Sequence, residues 1–323
     1  MPESLDGAPL TRHMLGDVAA GAYIGGIAAV AQATSMPFVL FPELGALSHD
    51  ILTRPRGTWA RAPVLLVVTP VATGALGIMI ARTMAYGLPA IFLAVGSAIL
   101  VIRLLRSPIA PAISAGLLPV VLGVTSWWYP PAIVLGTGVL AALALARRRL
   151  FPDPPESRAV TDMLDDLIEA PPFDYSWIPY FLVFLGIDAV LAEAAGWRFL
   201  LFPPLVVIAF EMFAHAAVCP WAERPLLLPV ACAATGAAGI LFVGLLGATP
   251  LAAVASMASG IVILRAFRLR VPPALAVGLL PSVIDHPDSR FPLAVGVGTL
   301  LLTVSFLLWR RVASRRRLQS MPE

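Results

Sequence analysis

The chain has 323 residues, of which 59% are apolar and only 13% charged, and its formal net charge is +3. Soluble domains average about 25% charged residues, so this composition excludes an ordinary soluble protein and indicates a polytopic membrane protein whose main partner is the lipid bilayer. All basic residues are arginine, and the small net charge gives no indication of a nucleic-acid partner.

Twelve apolar runs follow a polar start, which predicts a cytoplasmic leader and not a removable signal peptide. The runs lie at about 17–35, 37–53, 62–81, 85–102, 108–126, 129–146, 177–196, 199–219, 225–246, 250–267, 271–286 and 291–309. A helix needs ~20 residues to cross the hydrocarbon, with ~17 as a lower limit. The second and fifth runs of each half are short and contain prolines or charges, so hydropathy alone allows either a crossing or a re-entrant hairpin.

Residues 150–176 interrupt the apolar pattern with acids and prolines. Apolar residues at helical spacing predict a short amphipathic helix at about 157–169 within this segment. Its acids could meet arginines at the inner helix ends. The segment is interpreted either as a solvated tether or as a regulatory element.

The two halves repeat each other at a shift of 162 residues from residue 59 onward and of 161 residues upstream, where Phe41 and Pro42 pair with Phe202 and Pro203. Over residues 59–149 roughly a third of the positions are identical to their partners. Identical pairs include Trp59 with Trp221, Gly74 with Gly236, Arg103 with Arg265, Gly116 with Gly278 and Pro119 with Pro281. This pattern predicts one duplicated unit, with a first membrane repeat at 1–149, an acidic proline-rich cytoplasmic linker at 150–176 and a second membrane repeat with an arginine-rich tail at 177–323.

Arginine placement favours a crossing by every run. Cytoplasmic loops collect arginine, and with six crossings per half only Arg82, Arg198 and Arg290 fall outside. Re-entrant short runs would move several arginines of the first half outside and largely remove the bias. We therefore predict an all-α transmembrane bundle of two parallel, pseudo-symmetric repeats with about six segments each. Both termini would be cytoplasmic, in a plasma or inner membrane.

Proline-interrupted segments occur at matching places in the two halves. In repeat-built transporters such segments are the best sequence pointer to a binding site, because proline removes an amide donor and breaks or kinks the helix. Kinks that serve only packing are the alternative. The pathway candidates of this kind are Pro42, Pro111, Pro119, Pro203, Pro204, Pro273 and Pro281.

Ionisable residues within membrane segments are costly and often functional. The ionisable residues inside the runs are Glu43, His49, Asp50, Asp188, Glu193, Glu211 and His215, and the pathway candidates among them are Glu43, Asp50, Glu211 and His215. Asp50 and Glu211 occupy equivalent places in the repeats, and each has a partner four residues later, Arg54 and His215. These acids are interpreted either as proton-coupling groups or as fixed structural pairs.

Two arginine pairs stand just before the fifth run of each half. Arg103, Arg106, Arg265 and Arg268 could attract an anion together with a following helix N-terminus, or could serve topology and lipid headgroups. No catalytic motif, metal-ligand cluster or cofactor signature is present, so we expect neither an enzyme nor a cofactor. His215 and Cys219 have possible metal spacing, but packed side chains are the simpler interpretation.

Several short motifs resemble the HPP family of integral membrane proteins. Residues 41–46 (Phe-Pro-Glu-Leu-Gly-Ala) and 73–77 (Thr-Gly-Ala-Leu-Gly) resemble two of them, and residues 109–112 and 271–274 resemble its His-Pro-Pro-Ala motif. The histidine of that motif is replaced by Ile109 and Val271. Tyr129-Pro130 and Phe291-Pro292 match its terminal Phe-Pro helix. The resemblance implies four spans per unit and transport of a small anion such as nitrite.

The sequence as a whole predicts a secondary transporter or channel for a small solute, with a small anion such as nitrite as the candidate. The site would lie near the midplane between the halves. The alternative is a non-transporting membrane scaffold, or a sensor that signals through the acidic linker.

Overall fold

A computed structural model describes residues 10–150, 166–168 and 175–319, and of residues 10–13 and 314–319 the helical backbone only. Within these ranges every regular element is an α- or 3-10 helix and no strand occurs. This confirms the predicted all-α class.

The first half contains four long helices and shorter ones between them. In chain order they are α1 (Leu10–Thr34), a 3-10 turn (Pro37–Val39), α2 (Leu44–Thr53), α3 (Thr58–Arg61), α4 (Pro63–Thr83), α5 (Leu88–Leu105), α6 (Ala112–Leu122) and α7 (Tyr129–Leu150).

The second half has the same order of long and short helices. They are α8 (Ile178–Ala195), a 3-10 turn (Arg198–Leu201), α9 (Pro203–Ala214), 3-10 turns (Pro220–Ala222 and Pro225–Leu227), α10 (Leu228–Leu246), α11 (Pro250–Phe267), α12 (Pro273–Leu279), a 3-10 turn (Leu280–Ser282) and α13 (Phe291–Gln319).

Eight helices of the described chain are long and apolar enough to cross a membrane, namely α1, α4, α5, α7, α8, α10, α11 and α13. Their outer faces are apolar as well: α8 exposes Val183 and Val190 while it buries Phe181 and Phe184. A helix that is apolar on all sides belongs in lipid or in a core. The prediction of a multi-pass membrane protein is therefore confirmed.

The second and fifth segments of each half contain only short helices. These helices have 10 residues in α2, 11 in α6, 12 in α9 and 7 in α12, fewer than the ~17 that a continuous helix needs to cross. Helix length alone therefore does not confirm the predicted six crossings per half.

The segment 37–53 runs back along most of α1. At the end of α2, His49 Nε2 lies 3.2 Å from Asp17 Oδ1, in the second turn of α1. A Cβ built on Gly16 would lie 2.8 Å from the Thr53 side chain. The 3-10 turn, the loop and α2 together therefore return to the level of Gly16 and Asp17.

The segment around α6 runs along α4 in a similar way. Thr69 Oγ1 donates to Ser107 Oγ at 2.7 Å near the start of α4, and Arg82 Nη1 donates to the Thr125 carbonyl at 2.9 Å near its end. Residues 107–125 thus follow most of the length of α4.

Several helix ends meet on one side of the molecule. Arg147 near the end of α7 donates to the Leu52 carbonyl at the end of α2 (2.6 Å), and Trp59 Nε1 donates to the Pro108 carbonyl after α5 (3.0 Å). Arg265 of α11 pairs with Asp17 of α1 at 2.5 Å. We call this side, which carries Arg61, Arg103, Arg147 and Arg265, the arginine edge.

The described part of the linker contacts this edge. Residues 166–168 are helical, and Asp166 Oδ1 accepts a hydrogen bond from Thr58 Oγ1 at 2.6 Å and pairs with Arg61. The Arg103 guanidinium lies 4.7 Å from the Tyr175 ring centre. Most of the predicted helix at about 157–169 lies outside the described residues, but Asp166 does contact an arginine, Arg61 of α3.

Candidate functional site

The four short helices meet where the two halves face each other. Helix α2 packs against α12, α6 against α9, and α9 against α12. A Cβ built on Gly45 of α2 would lie 2.6 Å from Leu279 Cδ1 of α12 and 3.6 Å from Met257 Sδ of α11. The interrupted segments singled out in the sequence are therefore brought together. Their prolines are all buried: Pro42, Pro111, Pro119, Pro203, Pro204, Pro273 and Pro281.

Most of these prolines mark helix starts and not kinks. Pro111 is the N-cap of α6, while α9 and α12 begin with Pro203 and Pro273. Proline suits the first helical position because its missing amide proton would be unpaired there, and its fixed φ is already helical. Pro119 lies inside α6, near its end. The prolines thus shorten the central helices and leave non-helical backbone before them.

Glu43 is the buried acid at this centre. It is the N-cap residue of α2, and its side chain is 1% exposed. Its Oε1 accepts a hydrogen bond from Ser114 Oγ of α6, whereas Oε2 has no partner among the described residues. The sequence suggested Glu43 as a pathway residue. The structure places it at the start of α2, where its side chain contacts α6.

Tyr129 forms part of the same environment. Its hydroxyl donates to the Ala115 carbonyl at 3.1 Å, next to Ser114 in the chain. Phe38 and Phe41 contact its ring edge-on, with centroids 6.3 and 6.4 Å away. Aromatic rings thus enclose one side of the Glu43 region, which limits its access to water.

Asp50 has a cation beside it. Its Oδ1 lies 2.7 Å from Arg54 Nη2, one turn later, and the carboxylate is 7% exposed. A Cβ built on Gly57 would lie 3.3 Å from the other carboxylate oxygen. These contacts tie the end of α2 to the following turn, which favours the structural interpretation of Asp50.

Glu211 and His215 lie at the corresponding end of α9. Both are buried, and the His215 backbone amide donates to the Glu211 carbonyl at 3.0 Å as it caps the helix. The His215 ring lies edge-on against Phe210, with centroids 6.3 Å apart. Among the described residues no group of three or more His, Cys, Asp or Glu could hold a metal ion.

The candidate anion-attracting arginines lie at the arginine edge and not beside Glu43. Arg106 and Arg268 cap α5 and α11 with left-handed φ values of 49° and 52°. All four arginines are exposed, and Arg103 and Arg265 already contact Tyr175 and Asp17. An anion would meet them at the surface of the molecule.

No family model, curated protein or solved structure matches the chain. The resemblance to the HPP family therefore stays a prediction that rests on the short motifs of the sequence.

Sequence reasoning did not identify Ser114 or Tyr129. Their contacts depend on residues far apart in the chain, and Glu43 and Ser114 are separated by 71 positions. One signal could have revealed the pair. At the matching positions of the second half stand Pro204 and Ala276, so both polar residues are absent there together.

A further buried acid, Asp188 of α8, lies away from this centre. Its side chain is fully buried, and neither carboxylate oxygen has a partner among the described residues. Here α8 packs against α5. A Cβ built on Gly87, the residue before α5, would lie 3.6 Å from Glu193 Oε2 of α8. Asp188 thus belongs to the packing of the long helices and not to the interrupted segments.

Proposed function

We propose that the chain is a secondary transporter for a small solute, with its pathway between the short helices α2, α6, α9 and α12. One observation carries this proposal. Glu43 is a fully enclosed carboxyl with an unpartnered oxygen, and it lies where the interrupted segments of the two halves meet. Ionisable groups within membrane segments commonly mark solute or ion pathways.

The proposal includes two parallel repeats, and matching local structure supports them. Arg106 and Arg268, 162 positions apart, are both left-handed helix caps. A Cβ built on Gly77 or on Gly239 would lie 2.2 Å from the carbonyl oxygen of Gly116 or of Gly278, respectively. Helix α4 packs against α5, α6 and α7, as α10 packs against α11, α12 and α13.

In this proposal the segments with short helices are broken crossings. Support comes from the return of residues 37–53 to the level of Asp17 and from the course of residues 107–125 along α4. Irregular backbone at membrane depth is tolerated where protein surrounds it, as it does here. The positive-inside rule then makes the arginine edge cytoplasmic, together with both termini.

The solute we propose to test first is nitrite, with nitrate and small carboxylates beside it. The resemblance to the HPP family suggests a small anion. The exposed arginines at positions 103, 106, 265 and 268 would raise the local concentration of anions at the arginine edge. To bind at the centre, the anion would then require that Glu43 is protonated or that a positive charge balances its carboxylate.

Flux into proteoliposomes tests the proposal. We expect purified protein to accelerate uptake of at least one of these anions over protein-free liposomes, with and without a proton gradient. Thermal unfolding of the same preparation shows that the protein is folded. Folded protein that moves none of the anions would contradict the transporter proposal.

A second candidate function is a sensor that signals through the linker. The contacts of Asp166 with Thr58 and Arg61, and of Tyr175 with Arg103, favour it because they join the linker to the membrane bundle. A sensor of this kind would not move any of the tested solutes across the membrane, so the flux assay separates the two functions.

A further inference from the structure

We propose that Glu43 is the proton-binding group of the transport cycle, so that solute movement is coupled to a proton gradient. This inference rests on the proposed function and adds the coupling ion and the residue that binds it. Glu43 would take up a proton when its site opens to one side of the membrane and release it when the site opens to the other. Asp50 and Glu211, the acids that the sequence suggested for this role, would be structural.

The first argument is the one-sided hydrogen bonding of the carboxyl. Oε1 accepts from Ser114, and Oε2 has no partner among the described residues. An ionised carboxylate with no cation beside it is far more costly to bury than a neutral one. The proton would therefore sit on Oε2, because Oε1 already accepts the Ser114 hydroxyl hydrogen.

The second argument is that none of the groups described around Glu43 carries a positive charge that could balance an ionised carboxylate. From α6 the neighbour is Ser114, and from α7 it is Tyr129, whose hydroxyl donates to the Ala115 carbonyl. On the side of the second half, Leu279, Met257 and the Leu275 backbone surround Gly45, two residues after Glu43.

The ionisable groups further along α2 and on α1 are engaged elsewhere. His49 contacts Asp17 and Asp50 contacts Arg54, while the Tyr23 hydroxyl donates to the Gly136 carbonyl at 2.8 Å. In α9 Glu211 lies at the far end of the helix and has its own interactions. Glu43 thus has no described basic partner.

The third argument distinguishes a proton from a metal cation. Hard cations such as Ca²⁺ take six to eight oxygen ligands, and a site for one needs several oxygens directed at one point. Around Glu43 the described side-chain oxygen within hydrogen-bond distance is that of Ser114, which leaves the carboxyl and one hydroxyl as side-chain ligands, too few for such a site. A proton needs only the free carboxyl oxygen.

The fourth argument comes from the second repeat, which lacks this site. Pro204, Ala276 and Phe291 stand in the places of Glu43, Ser114 and Tyr129. The pair of Glu43 and Ser114 therefore occurs in the first half, and we assign the coupling proton to it. Asp188, whose oxygens also lack a described partner, lies away from the short helices. The matching surface of the second repeat is apolar.

Carbodiimide labelling tests the protonation of Glu43 without requiring transport. Dicyclohexylcarbodiimide reacts with protonated carboxyl groups in apolar surroundings: the acid O–H adds across one C=N bond of the reagent, and rearrangement leaves a stable acylurea. We expect mass spectrometry of wild-type protein in liposomes to locate the label on Glu43, with a yield that falls as pH rises. Absence of label on Glu43 at every pH, in folded protein, would overturn the inference.

Flux measurements test the coupling itself. We expect Glu43→Gln, which keeps the shape of the neutral acid, to lose accumulation driven by a proton gradient while it retains exchange of solute between the two sides. Ser114→Ala should keep the coupling, but with a pH profile moved to higher pH, because the hydrogen bond that stabilises the carboxylate is gone. Asp50→Asn is the matched control and should keep a proton-driven accumulation.

The outcomes separate the two proposals. If wild-type protein shows no flux, the transporter proposal fails, while the labelling experiment still decides whether Glu43 carries a proton. If wild-type flux is independent of the proton gradient, is driven by a sodium gradient instead, or keeps its proton dependence in Glu43→Gln, the assignment of Glu43 is wrong and the transporter remains.

Discussion

At the scale of single residues, two glycines set the distance between the central and the long helices. Small residues allow helices to approach closely in membranes, and Gly77 and Gly239 do so at equivalent places. A Cβ at either position would lie 2.2 Å from a carbonyl oxygen, that of Gly116 or Gly278. This separation is impossible without movement of α6 or α12, so both positions require glycine for packing and not for a turn.

We therefore expect Gly77→Ala and Gly239→Ala each to lower the free energy of unfolding by about 1–3 kcal/mol, the usual cost of overpacking. The measurement is the midpoint of thermal unfolding of the detergent-solubilised protein, followed by tryptophan fluorescence. Gly96→Ala and Gly244→Ala are matched controls in α5 and α10, because a Cβ there meets no atom within 4 Å. The controls should be neutral or stabilising, since alanine favours helices over glycine by ~1 kcal/mol. Equal midpoints for all four variants would disprove the packing argument.

At the scale of elements, the long helices were predictable from the sequence, whereas the short ones were not. The apolar run at 250–267 coincides with α11 (Pro250–Phe267), because a long apolar run has few alternatives to a membrane helix. The run at 37–53 is instead a 3-10 turn, a loop and α2. Proline marks the place of such an interruption but does not determine how much of the segment stays helical. The contact of Glu43 with Ser114 leaves only an indirect signal in the sequence, the replacement of both residues at the matching positions of the second half, because a single sequence carries no direct record of pairing between distant residues.

The linker contact gives a prediction at the same scale. Arg61 and Asp166 are each about one third exposed, and a partly exposed ion pair contributes at most about 1 kcal/mol. We expect Arg61→Ala to increase amide hydrogen exchange in peptides that contain residues 166–168 by up to about fivefold, as this free energy implies. Arg106→Ala, which removes an exposed arginine from the same edge, is the control and should leave this exchange unchanged. Similar exchange in the two variants would mean that Asp166 does not hold the linker to the bundle.

At the scale of the whole molecule, the two halves contribute different side chains to one centre. The short helices of both halves form this centre, and Glu43 and Ser114 of the first half meet there through a hydrogen bond. At the positions that match them in the sequence repeat, the second half has Pro204 and Ala276. In our proposal a duplicated bundle supplies the frame, and this difference between its halves supplies the chemistry.

This arrangement depends on the number of crossings, which cysteine labelling can measure. Cys219 and Cys232 are buried and can be replaced by alanine. Single cysteines are then introduced by Ser35→Cys after α1, Arg56→Cys in the turn after α2, Arg148→Cys at the end of α7, Trp128→Cys in the loop before α7, and Ser289→Cys in the loop before α13. If residues 37–53 and 107–125 are broken crossings, a membrane-impermeant maleimide should label positions 56 and 148 from one side and positions 35, 128 and 289 from the other.

Positions 148 and 128 serve as internal references, because the long helix α7 separates them under any topology. Positions 35 and 56 decide the course of residues 37–53, because only this segment separates them. Labelling of position 56 from the same side as position 35 would make residues 37–53 a re-entrant hairpin. Such a result would conflict with the contact of His49 with Asp17, which holds the end of α2 near the start of α1. It would also place Glu43 in a hairpin open to one side only, and a carboxyl in that position could not carry protons between the two sides.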